Sequence, residues 1–149
     1  MTRAQYVIGI DGGVNTGFAV YDRNSRKLVE IKTYSFWEAI EALESWMDDC
    51  GISGIEVWIE DVEAHSPTFY RGAKGSAVQN RISQSVGRNK RDCQLLKEWL
   101  ERKGVVFYSI PPTKQSMTKL NAETFKTYTG WNERTSQHGR DAAMLVFGR

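Results

Sequence analysis

Apolar and polar residues alternate, run together and then change period along this chain, and each change marks an element. Residues 6–11, YVIGID, and 16–22, TGFAVYD, are two apolar runs joined by the turn Gly12-Gly13-Val14-Asn15, while 27–34, KLVEIKTY, alternates apolar with polar. Connections this short leave no room for a crossover, so three strands in an antiparallel meander are predicted. The period then lengthens. In SFWEAIEALESWMDDCG, Phe36, Ile40, Leu43 and Met47 fall on one helical face, with Ser35 as N-cap and Gly51 as stop. IEVWIEDV returns to strand, and EAHSPTFYRGAKGSA after it is a polar loop, long for a compact domain and therefore a candidate functional loop. A helical stretch follows from about residue 76 to 103, with Gly87 as a candidate break. VVFYSI is a fifth strand ended by Pro111 and Pro112, AETFKTYTG a short helix, and SQHGRDAAMLVFG a terminal helix. An antiparallel meander followed by helix-connected strands predicts an α/β domain, a five-stranded mixed sheet flanked by helices.

The length of 149 residues suits a single domain over 1–149. No run approaches the ~20 apolar residues of a membrane helix, and the start MTRAQYVIGI lacks the regions of a signal peptide. A cytoplasmic protein without membrane contact is expected. Cys50 and Cys93 stand far apart in helix-like segments with no CxxC, which favours reduced thiols over a disulfide or zinc site.

The formal net charge of +2 averages over a segregated chain. From Glu30 to Glu63 acids dominate, with Lys32 the sole Lys or Arg; from Ala64 through Arg91 there is no acid, while Arg71, Lys74, Arg81, Arg88, Lys90 and Arg91 are basic. A second acid-free stretch, Arg102 to Ala122, holds Lys103, Lys114 and Lys119. Basic residues gathered in this way suit a polyanion, and equally a solvated helix face.

The mixed topology lets the tips of the first and fourth strands lie side by side, bringing Asp11 close to Glu60. In HGRDAAMLV the i,i+3 spacing puts His138 and Asp141 on one helical face. Acids converging on one point repel each other unless a cation sits between them, and an oxygen-rich set with one imidazole suits Mg²⁺ or Mn²⁺. Taken singly, Asp11 could be a turn residue and Asp141 a complement to the helix dipole. Glu60 and Asp61 are adjacent and point to opposite faces of a strand, so only one of them belongs to such a cluster.

Together IGIDGGVNTGFAVYD, WIEDV and HGRDAAMLV resemble the RuvC-type Holliday junction resolvases of the RNase H-like nuclease superfamily. The likeness spans nearly the whole chain, with Gly12 standing where family members typically have Pro, and the stretch AETFKTYTGW is reminiscent of phage-encoded members. The resemblance implies an RNase H-like fold and a Mg²⁺- or Mn²⁺-dependent endodeoxyribonuclease that resolves four-way DNA junctions. Its products would carry 5′-phosphate and 3′-hydroxyl ends. Two ions per site would be held by Asp11, Glu60, Asp141 and His138, with Asp11 bridging and His138 as ligand or acid–base. Lys114, which follows the fifth strand as a lysine does in the family, would stabilise phosphate charge; Lys119 and Lys126 are weaker candidates. Phe69 would probe the junction core beside Tyr70, Arg71 and Lys74, and Arg81, Arg88, Lys90 and Arg91 would follow the phosphate backbone. Paired cuts imply a C₂ homodimer, for which Leu95, Leu96, Trp99 and Leu100 are candidate contacts unless they cover the sheet.

Other readings use the same residues differently. A ribonuclease H would take a Glu from the first helix, which offers Glu38, Glu41 and Glu44, and a flap-cutting enzyme would share the carboxylates. An actin or sugar-kinase type ATPase shares the first hairpin but needs two such domains. A junction binder without catalysis would use the basic loop alone.

Overall fold

The computed structural model describes residues 3–61, 76–112 and 119–149. Strands β1 (Tyr6–Asp11), β2 (Thr16–Asp22) and β3 (Lys27–Tyr34) form the expected meander. Helix α1 (Phe36–Cys50) and a short 3₁₀ turn (Ile52–Gly54) lead into β4 (Ile55–Glu60). Then come α2 (Ser76–Lys103), β5 (Val106–Ile110), α3 (Ala122–Thr129) and α4 (Gln137–Val146). The sheet order is β3-β2-β1-β4-β5, with β1–β2 and β2–β3 antiparallel and β1–β4 and β4–β5 parallel. This is the order of an RNase H-like fold, and β1 sits at its centre.

Local chemistry explains the boundaries. Ser35 and Glu38 form a reciprocal capping box at the start of α1, and the N–H of Gly51 closes its end on the Met47 carbonyl. Asn121 caps α3 through the Thr124 N–H, and Ser136 caps α4 through the Gly139 N–H. Gly13 holds φ at 153° in the turn after Asp11. The expected break at Gly87 does not occur: α2 runs through it for 28 residues. One helical glycine costs about 1 kcal/mol relative to alanine, too little to interrupt a helix anchored downstream by buried residues.

Alternation along the strands sends side chains to two unlike layers. Ile8, Ile10, Phe18, Val20, Val57 and Ile59 pack with Ala39, Ile40 and Leu43 of α1 and with Cys93, Leu96 and Leu100 of α2. Leu96 and Leu100 of α2 therefore cover the sheet, and Trp99 packs against the same core. On the other face Val7, Ala19, Tyr21 and Ile31 meet Ala142, Ala143 and Val146 of α4. Here the helix backbone comes unusually close. A Cβ on Gly9 would overlap the Ala142 carbonyl oxygen, and one on Gly17 that of His138, so the bare glycines let α4 sit directly on β1 and β2. Cys50 and Cys93 are not joined in a disulfide, and the Cys93 thiol donates to the Glu60 carbonyl at 3.6 Å. Among the described residues no helix is long and apolar enough to cross a membrane.

Candidate active site

Asp11 is the last residue of β1, and its register partner on β4 is Glu60, also the last of its strand. Parallel neighbours lie about 4.8 Å apart, so two carboxylates are carried to adjacent strand tips. Asp11 lies two residues beyond Gly9 on the face that meets α4, and Glu60 lies two beyond Trp58 on the same face. The first turns of α4 complete the group. Nδ1 of His138 is 3.4 Å from Oδ2 of Asp11, and Asp141, one turn on, bears electrostatically on Asp11 while its Oδ1 accepts a hydrogen bond from Gln137 Nε2 at 2.7 Å.

The Asp11 side chain is only 13 % exposed. Burial first, then a hydrogen bond to Glu60 and the charges of Glu60 and Asp141, push its carboxyl from an ordinary value of 3.8 up to about 8; Lys119 works against them. With burial and two neighbouring acids all opposing its ionisation, the Asp11 carboxyl keeps its proton to a higher pH than an ordinary aspartate. Burying a carboxyl group beside other acids is unfavourable for folding alone.

Asp61 is excluded from this cluster. Its side chain, 3 % exposed, turns to the α2 layer and accepts from Lys97 Nζ at 2.8 Å. The adjacent acids therefore divide as alternation requires, Glu60 to the cluster and Asp61 to a buried ion pair.

Lys119 is where the structure adds most to the sequence reading. It lies in an open cleft with Glu60, Asp141, Ile110, Pro111, Met144, Leu145 and Arg149. The acid-free stretch containing it was its only sequence signal; its approach to Asp11 depends on how the chain returns from β5 to α3. Lys114 lies outside the described residues, as do Phe69, Tyr70, Arg71 and Lys74, and the side chains of Arg81 and Arg88. Lys90 is half-buried and Arg91 exposed on α2, on the opposite side of the sheet from the carboxylates. The α1 acids are remote too: Glu38 is occupied in its capping box, and α1 packs on the face away from Asp11.

Among the described residues, no group of three acidic, histidine or cysteine side chains is drawn together as a ready metal shell. The chemistry of the donors nevertheless fits a hard divalent cation. Three carboxylates and one imidazole are the right ligand types, and a cation beside Asp11 would relieve the repulsion that Glu60 and Asp141 exert on it.

No protein-family model and no curated sequence matches the chain. Its structure is similar to that of T. thermophilus RuvC in complex with a Holliday junction substrate, with a TM-score of 0.55 and 15 % sequence identity over 95 % of this chain and 90 % of that one. The five-stranded sheet in the order 3-2-1-4-5 with its helices matches the RNase H-like fold of that protein. The protein therefore has an RNase H-like fold.

Proposed function

We propose that the protein is a metal-dependent endodeoxyribonuclease that resolves four-way DNA junctions by paired phosphodiester hydrolysis, leaving 5′-phosphate and 3′-hydroxyl ends. The observation that carries this reading is the juxtaposition of Asp11 and Glu60 at adjacent strand tips of an RNase H-like sheet, with His138 and Asp141 beside them. Asp11, Glu60, Asp141 and His138 would hold Mg²⁺ or Mn²⁺, Asp11 as the central carboxylate of the group and His138 as ligand or acid–base. When bound, such ions acidify a water for attack and neutralise charge on the transferring phosphoryl group.

The chain's own groups supply the rest. His138, with its ring 46 % exposed, is open to solvent on one side and to Asp11 on the other, which suits either ligation or proton transfer. Lys119 contributes a fixed positive charge in the cleft where phosphate charge develops; Lys114 is kept as a second candidate for that role. Phe69, Tyr70, Arg71 and Lys74, together with Arg81, Arg88, Lys90 and Arg91 of α2, would bind the junction arms, and a homodimer would supply the two cuts.

The alternative is a different RNase H-like nuclease. Glu38, Glu41 and Glu44 lie on a helix packed against the far face, which disfavours a ribonuclease H arrangement; a flap or branched-DNA nuclease would use the same carboxylates. The test is incubation with end-labelled four-way junction, flap and RNA–DNA hybrid substrates in Mg²⁺ or Mn²⁺. Symmetric nicks on the junction are expected, and cleavage of the hybrid or flap alone would replace the junction reading.

A further inference from the structure

Next to the carboxylates, on the α4 face of the sheet, lies a stack that the hydrolytic chemistry does not use. The guanidinium carbon of Arg149 sits 3.9 Å from the centre of the Trp58 ring. Trp58 also stacks with Tyr108, its register partner on β5, with centroids 4.6 Å apart and planes inclined at 29°. The arrangement is held from behind. Glu56, buried two residues before Trp58, accepts from the indole Nε1 at 3.1 Å and from Arg23 Nη2 at 2.7 Å, and Arg23 Nε donates to the Arg149 carbonyl at 3.0 Å. Tyr108 is 44 % exposed on the edge strand, an unusual exposure for a ring already stacked on one side.

The stack is continuous with the candidate active site. Ile110, two residues beyond Tyr108, lines the same cleft as Glu60 and Asp141, and so do Lys119 and Arg149. One surface thus offers, in order, two acids, two fixed cations and an exposed aromatic ring.

We propose that this surface receives an unpaired nucleotide strand next to the reacting phosphodiester, with Lys119 and Arg149 facing its phosphates and Tyr108 stacking on a base. Its ligand class rests on the nuclease reading, but its location does not: it lies on the side of the sheet opposite α2. Cations beside acids would be wasted on a cationic or neutral partner, whereas a polyanion meets Lys119 and Arg149 first and leaves the acids free for metal. A flat ring backed by a second ring and a guanidinium is a stacking platform that accepts any base.

The test measures binding apart from cleavage, by fluorescence anisotropy with labelled single-stranded and four-way junction DNA in EDTA. Tyr108→Thr keeps a strand-favouring side chain but removes the ring. It is expected to weaken binding at least about fivefold, the loss of one stacked base, and Tyr108→Phe to restore it. Trp37→Ala is the control, since Trp37 is 71 % exposed on a helix of the opposite layer. Photocrosslinking from 5-iodouracil in the strand is expected to map to Tyr108. Unchanged affinity in Tyr108→Thr, or a loss matched by Trp37→Ala, overturns the platform even when the protein cleaves junctions. Absence of cleavage with Tyr108-dependent binding would instead overturn the nuclease reading and leave the platform standing.

Discussion

The two faces of the sheet are built on opposite terms. Toward α1 and α2 the strands present Ile, Val and Phe to a dry layer in which Leu43 and Leu100 are fully buried. Toward α4 the same strands present glycines, a buried Glu56 and the Asp11–Glu60 pair. Burial at about 25 cal/mol per Å² of apolar surface favours the first face, while the second brings charges into contact that folding alone would keep apart. Both faces bury apolar residues, and the α4 face alone also carries a cluster of acids at the strand tips, which weakens rather than strengthens the fold.

Substitutions in the two layers should therefore separate activity from stability. The largest effect is expected from Asp11→Asn, which removes the central carboxylate while keeping its size and should lower junction cleavage on the order of 10²–10³-fold or more. Near-normal turnover in that variant would dissolve the contrast, because the acids would then be mere turn residues.

Next come paired core changes. Leu43→Ala should cost about 2–5 kcal/mol in urea unfolding yet keep its turnover rate at a temperature where it is folded. Gly17→Ala should cost about 1–3 kcal/mol through overpacking but also depress the proposed turnover in the folded protein, since the added methyl would displace the α4 backbone at His138. Equal turnover in the two folded variants would show that the position of α4 is unimportant to the site.

The pH dependence is a subtler discriminator. Because Asp11 is raised to about 8 in the folded protein from an ordinary 3.8, the native state binds more protons than the unfolded state across that window. Metal-free stability should then fall as pH rises from about 4 to about 8 and level off above. Asp11→Asn should flatten the slope, and Mg²⁺ or Mn²⁺ should raise the melting temperature of the wild type most at the alkaline end, where the acids are free to ligate. Melting curves in EDTA and in metal at pH 5 and pH 8.5 would read this, and identical slopes in wild type and variant would contradict it.

Ser136→Ala is expected to have the smallest effect. It removes the cap of α4, which accepts the Gly139 N–H at 3.0 Å, and should cost about 1 kcal/mol with a modest loss of turnover from fraying beside His138. A change in turnover larger than that for Gly17→Ala would assign Ser136 a direct role.

Much of this was legible beforehand because it is local. The strand boundaries at 6–11, 16–22 and 27–34, the Ser35 cap and the Ser136 start follow from short-range periodicity and capping, which depend on neighbours in sequence. The split between Glu60 and Asp61 was legible for the same reason, since alternation is a property of one strand. Gly87 was misjudged because a local propensity of about 1 kcal/mol was set against tertiary anchoring it could not outweigh. Lys119 was legible only as a weaker candidate and the Arg149–Trp58–Tyr108 stack not at all: each depends on residues far apart in sequence meeting beside β4 and β5.

The amino-acid order by itself determined the elements, the alternation that sends Asp11 and Glu60 to one face, and the helical spacing that pairs His138 with Asp141. Only the tertiary structure decided how closely these acids approach, which lysine reaches them, and that an aromatic ledge adjoins them. The physical reason is range: periodicity and capping act within a few residues, whereas burial and electrostatic coupling depend on which distant segments are packed against each other.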